Sequence, residues 1–215
     1  YKVSKVYDET ISAGTGSGEL AVDGIVDSDK GNVTVKATPV PYSDANVGVQ
    51  KTMDVTIVLD GAEKDNYAIK DNNATISVPC EITKATFGNR TATGSAKYGA
   101  SGTADLTDHL VSGGTATCQP VTSGADVLNG TPSIKEKKLN FAFKNERSNV
   151  NKSAVIEVQV TSDNYEPYSI IVTVTVVDKT VPTVTAPVAN KLTYNGADQA
   201  LITSGKTSGG EMQYS

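Results

Sequence analysis

The sequence predicts an all-β protein built from tandem β-sandwich-type modules joined by short linkers. Three observations predict it. First, 26 Val and 26 Thr stand against 8 Leu in 215 residues, and β-branched side chains fit a pleated, half-buried surface better than a helix. Second, short runs alternating apolar and polar residues recur along the chain, separated by clusters of Gly, Asn and Asp, the pattern of all-β modules. Third, the triplet Asp65, Asn66, Tyr67 returns as Asp163, Asn164, Tyr165, a shift of 98 residues. A repeat of that length marks tandem domains with separate cores rather than a solenoid of small units. The composition excludes a coiled coil or helical bundle.

The elements follow in chain order. Val33, Val35 and Ala37 alternate with Asn32, Thr34 and Lys36, a half-buried strand. Val55, Ile57 and Leu59 repeat the pattern, as do Ile76 and Val78. Later come Leu139, Phe141 and Phe143, then 155–160, then 170–177. In the last run Ile170, Val172, Val174 and Val176 share one face, and Ile171, Thr173, Thr175 and Val177 share the other, which is partly buried as well. Each Asp-Asn-Tyr triplet precedes an apolar stretch, Ala68 and Ile69 in one case and 168–177 in the other. Turn clusters lie at 14–18, 27–31, 60–61, 71–73, 113–114 and 129–130. Asn-Gly and Asp-Gly suit tight turns because Gly accepts positive φ. The glycines of 14–18 lack the Lys and following helix of a phosphate-binding loop and read as a flexible loop. The one place for a helical turn is 123–128.

Domain boundaries fall near 83–86 and within 178–187, where Pro182 and Pro187 bracket an extended linker. The expected modules are 1–85 and 86–180, with 181–215 a linker and the truncated start of a further repeat, too short for its own core. The chain reads as a piece of something longer. Its net charge of −5 is concentrated in the first module, and the one basic run is 135–138. A nucleic-acid surface needs clustered Lys and Arg, so that class is excluded. The apolar run 170–177 is too short to span a bilayer, so no membrane insertion is expected.

Chemistry-bearing residues are few. Cys80 and Cys118 match neither a zinc nor a Cys-x-x-Cys pattern and are expected to be free, with a disulfide the lesser reading. The single His, His109, lies beside Asp108 with no Gly-x-Ser-x-Gly nearby and reads as a surface or packing residue. No catalytic, cofactor-binding or metal-binding residue is assigned. Asp23, Asp27, Asp29 and Asn32 offer oxygen ligands, but their order is not that of an EF-hand, so a hairpin turn is preferred. Lys5, Lys36, Asn66 and Asp54 are residue types that could form an internal isopeptide bond, with no pairing indicated. Tyr42, Tyr98, Tyr165 and Tyr168 are the candidate ligand-stacking residues if they are exposed; otherwise they pack at strand ends and corners.

Val6, Tyr7 and Asp8, then 27–35, then Tyr42, Asp44, Ala45, Asn46, Val47 and Gly48, then Asp60, Gly61, Ala62, Asp65, Asn66 and Tyr67 together resemble the YDG-type repeats of large bacterial surface proteins. Glu9 stands where that family usually has Gly. Residues 192–196, with Gly209, Gly210, Met212, Gln213 and Tyr214, resemble the opening of a bacterial Ig-like repeat. Residues 86–187 resemble Ig-like modules more loosely, through 155–177. The resemblance implies tandem Ig-like modules of an extracellular, cell-wall-associated, adhesin-like protein of a Gram-positive bacterium. Tandem modularity without catalytic residues leads to the expectation of a non-enzymatic stalk or spacer, monomeric, whose partners are neighbouring modules and host glycans or matrix proteins. The alternatives are a carbohydrate-, mucin- or matrix-binding module and an accessory domain of a surface hydrolase.

Overall fold

The structure, a computed structural model, describes residues 1–48, 50–70 and 74–208. The turn cluster expected at 71–73 and the tail motif from Gly209 to Tyr214 lie outside the described residues. The described chain is all-β, and its helical pieces are short 3-10 turns. One of them, Ala125–Val127, occupies the place expected for a helical turn.

The first unit is a single five-stranded sheet of β1 (Lys2–Val6), β2 (Thr15–Ser17), β3 (Thr34–Thr38), β4 (Thr52–Asp60) and β5 (Thr75–Thr83), in the order β2-β1-β5-β4-β3. A second packed sheet is expected here and is not what covers the core. The inward faces of β1, β4 and β5 supply Val3, Met53, Val55, Val78, Cys80 and Ile82, and Tyr42, from the irregular stretch between β3 and β4, closes the layer from above.

The second unit contains β6 (Arg90–Lys97), β7 (Ser101–Asp105), β8 (Thr115–Cys118), β9 (Ser133–Lys135), β10 (Lys138–Ala142), β11 (Ser153–Thr161) and β12 (Tyr168–Val177). They form two sheets, β6-β12-β11-β8 and β7-β10-β9. The sheets enclose one core: Ile156, Val158, Ile170, Val172 and Val174 from one side meet Ala104, Leu139 and Phe141 from the other. The alternation in β12 is as the sequence indicates, with Ile170, Val172, Val174 and Val176 fully buried. Burying side chains of this size contributes about 1.5–3 kcal/mol each.

The repeat seen in sequence is a repeat of topology. In the first unit β1 runs parallel to β5, which pairs antiparallel with β4, which pairs antiparallel with β3. In the second, β6 runs parallel to β12, which pairs antiparallel with β11, which pairs antiparallel with β8. Each Asp-Asn-Tyr triplet sits in the connection before the last strand of its unit.

Three expectations need correction. Residues 14–18 are not a flexible loop: Thr15–Ser17 is an edge strand on β1. Its glycines permit close approach, since a Cβ on Gly14 would lie 2.7 Å from the Ser4 carbonyl oxygen. Residues 27–31 are not a hairpin, because β2 and β3 do not pair; the chain makes a 3-10 turn at Asp27–Asp29. Ala68 and Ile69 are irregular, and the following strand starts at Thr75. Within 181–208, the described part of the segment expected to be a linker and the truncated start of a further repeat, β13 (Val184–Thr185) pairs with β16 (Lys206–Thr207), while β14 (Val188–Ala189) pairs with β15 (Ile202–Thr203). These two ladders build no core, and Val184, Val188, Leu192, Tyr194 and Leu201 are exposed.

Candidate functional site

The four tyrosines divide by burial. Tyr42 is 2% exposed, and its hydroxyl donates to the Glu81 carbonyl at 2.8 Å, with the Val3 carbonyl at 3.3 Å. Those carbonyls belong to β5 and β1, so Tyr42 ties the parallel pair together. Tyr168 is 5% exposed; its hydroxyl donates to the His109 carbonyl at 2.8 Å and accepts the Val111 N–H at 3.1 Å. Burial raises both phenols above the ordinary value. Neither ring offers a face to a ligand, which corrects the stacking assignment for both. A buried ring with its oxygen on backbone groups is a packing corner.

Tyr165 and Tyr98 are half-buried. The Tyr165 ring meets Tyr7 of the first unit edge-on at 5.3 Å between centroids and Phe87 at 6.2 Å, and its hydroxyl donates to Glu9 Oε1 at 3.2 Å. Tyr98 carries Lys179 Nζ over its ring at 4.2 Å, a cation–π contact. The structure therefore does not assemble the four tyrosines into one surface.

Two clusters not foreseen in the sequence hold loops in place. Lys5, whose side chain is 8% exposed, donates to the carbonyls of Thr10 and Ser12 at 2.9 and 3.3 Å and pairs with Asp8 at 2.6 Å. The Lys5 ammonium first, and then the Thr10 hydroxyl and N–H, pull the Asp8 carboxyl from 3.8 down to about 2. Asn149 is the buried polar residue of the second unit: its Nδ2 donates to Glu146 Oε2 at 3.2 Å and its Oδ1 accepts from Lys152 Nζ at 3.0 Å. Tight use of such groups in corners carries no signature in composition.

Several of the remaining candidates are engaged elsewhere. Asp27 pairs with Lys30, and Asp29 accepts from Ser28 and Tyr67. Lys36 pairs with Asp60, and Asn66 donates to Glu63. Among the described residues no group of three or more His, Cys, Asp or Glu side chains could hold a metal ion. The His109 backbone, rather than its imidazole, serves Tyr168. Cys80 and Cys118 are free thiols in different units, and burial raises both above the usual thiol range, which lowers their nucleophilicity.

The outer face of β7-β10-β9 bears a shallow groove of about 520 Å³ lined by Ser101, Thr103, Asn129, Thr131, Ser133 and Asn140 among others. Its polar lining is hydroxyl and amide, set beside Gly102, Phe141 and Ala142, and none of the four tyrosines lines it.

These elements can be set beside known proteins. Residues 1–78 match the YDG domain. The match starts with β1, runs through β4 and stops inside β5, while the sheet of the first unit continues to Thr83 and includes Cys80 and Ile82 in its core. Glu9 of the YDG domain adopts φ 66, the left-handed conformation in which Gly is free of strain. No curated protein matches the chain. Among the described residues no helix is long and apolar enough to cross a membrane.

Proposed function

We propose that the two units are non-enzymatic stalk or spacer modules of an extracellular, adhesin-like cell-surface protein of a Gram-positive bacterium, acting as a monomer. The observation that carries this reading is where each unit places its first and last strands. They are neighbours and run parallel: β1 beside β5 and β6 beside β12. Tension applied between the entry and exit of such a unit pulls the two strands in opposite directions along their axes. The evenly spaced ladder bonds are then loaded together, rather than opened one at a time as in a hairpin. The YDG match and the repetition of one topology support a serial architecture. The second unit, two sheets around one core, is read as an Ig-like β-sandwich module.

The polar groove on β7-β10-β9 favours a second reading, a carbohydrate-, mucin- or matrix-binding module that works by hydrogen bonding from hydroxyl and amide side chains. An array of glycans, mucins and matrix proteins, probed with native chain and with heat-unfolded chain as control, separates the two. The stalk reading predicts no saturable binding. Saturable binding that is lost on unfolding and on Asn140→Ala overturns it in favour of recognition.

A further inference from the structure

The contacts between the two units converge on one connection, 162–167, between β11 and β12. Lys84 Nζ donates to the Ser162 carbonyl at 2.9 Å. The Ala85 N–H donates to the Asn164 carbonyl at 3.0 Å and the Glu166 N–H to the Ala85 carbonyl at 2.9 Å, closing a parallel bridge between Ala85 and Tyr165. The Asn164 side chain then reaches the first unit with both of its functions: Nδ2 donates to Asn46 Oδ1 at 2.8 Å, and Oδ1 accepts the Val47 N–H at 2.9 Å. Tyr165 adds its edge-on contact with Tyr7 and its hydrogen bond to Glu9.

Glu9 gives this joint a reason to be read as built. A non-glycine residue at φ 66 is strained, and what its side chain does there is accept the Tyr165 hydroxyl. The tail supplies a comparison. Asn195 Oδ1 accepts the Ala197 N–H at 3.0 Å, as Asp8 Oδ1 accepts the Thr10 N–H at 3.0 Å, and Gly196 has φ 79. The corner is the same, yet Tyr194 is 95% exposed while Tyr7 is half-buried. Tyr7 packs both against the core of its own unit and against Tyr165 of the docked loop, and Tyr194 has neither kind of neighbour.

We infer that 162–166 is a docking loop that recognises the Tyr7–Glu9 corner and the Asn46–Val47 turn of the preceding unit, and that this recognition fixes the angle between the two units. The connecting residues 84–89 are outside any strand, and a link of that kind leaves two domains free to reorient unless an interface holds them. Here the interface is a backbone bridge, a two-ended amide clamp and an aromatic contact. The inference rests on the stalk reading only for the purpose that stiffness would serve.

Residual dipolar couplings measured on the whole chain test it. One alignment tensor should fit both units of the native protein. In the double variant Glu9→Gly, Asn164→Ala, with core chemical shifts unchanged, that shared alignment should be lost and each unit should need its own tensor. If Asn164→Ala disturbs the second unit, Glu9→Gly with Asn46→Ala removes the side-chain partners of Tyr165 and of Asn164 Nδ2 from the first, leaving the Val47 N–H bond in place. Two tensors in the native protein, or one tensor in a folded variant, overturns the inference. Either result leaves the array experiment, and with it the stalk reading, to stand or fall separately.

Discussion

Replacing Tyr168 with Phe removes one oxygen and leaves the ring where it is. The buried apolar surface and the contact with Phe87 at 5.1 Å are kept. What is lost is a donor to the His109 carbonyl and an acceptor for the Val111 N–H. Val111 is 9% exposed and its bond to Tyr168 is buried, so its N–H has poor access to water. A net hydrogen bond contributes about 0.5–1.5 kcal/mol, and a buried group left without a partner costs about 1–3 kcal/mol. The sum to expect is about 2 kcal/mol, at the expense of the second unit alone. For a domain of this size 1 kcal/mol corresponds to roughly 4–8 °C, so the second unit should melt about 8–16 °C lower. Calorimetry or urea unfolding of the whole chain, with the two units followed separately, reads the shift. Tyr98→Phe is the control, because Tyr98 contributes its ring face to Lys179; it should change stability by less than about 0.5 kcal/mol. An unchanged midpoint for Tyr168→Phe would refute the corner role.

The other predictions concern backbone geometry and charge. Gly124→Ala should destabilise the second unit by at least ~2 kcal/mol in urea unfolding, because a Cβ there would stand 2.1 Å from the Ser153 carbonyl oxygen and φ is 70. The two-residue turn between β9 and β10 has Glu136 at φ 53 and Lys137 at φ 59; Glu136→Asn with Lys137→Gly should raise stability by about 1 kcal/mol, since that pair adopts positive φ with little strain. Asp8 has its folded pKa depressed from 3.8 to about 2, so its contribution to the first unit is present above pH 4 and is lost as pH falls through 2; a carboxyl titration followed by NMR should place the Asp8 midpoint near 2, and in Lys5→Met it should move back up toward 3.8.

Alternation made most of the strands legible. The Ile170, Val172, Val174, Val176 face reads directly because a period of two has one structural meaning when one side is buried. The glycines at 14–18 were opaque because the same residues serve a loose loop and a tight backbone approach; the Ser4 carbonyl beside Gly14 decides, and it comes from elsewhere in the chain. Tyrosine burial was opaque for a similar reason. Tyr42 lies outside any strand, and only the fold of its stretch over β1 and β5 hides it. The Asp-Asn-Tyr repeat was visible, but its use was not: Asn66 bonds Glu63 within its own turn, while Asn164 bonds Asn46 in another unit. Glu9 stood out as a departure from Gly, and its partner Tyr165 lies 156 residues away.

The claim that these are tension-bearing modules is tested most directly by stretching the whole chain between its ends in a single-molecule force experiment. The parallel ladder of the second unit has eight register pairs, Arg90 with Ile170 through Lys97 with Val177, and that of the first has four, Val3 with Cys80 through Val6 with Thr83. Both ladders are loaded in shear, and forced unfolding reports the barrier rather than the equilibrium stability. The account predicts two separate unfolding events, with the second unit yielding at the higher force and Thr173→Pro, which removes a donor from the parallel β6/β12 ladder, lowering that force alone. A second unit that opens at no greater force than the first, or a chain that extends without discrete events, would contradict it.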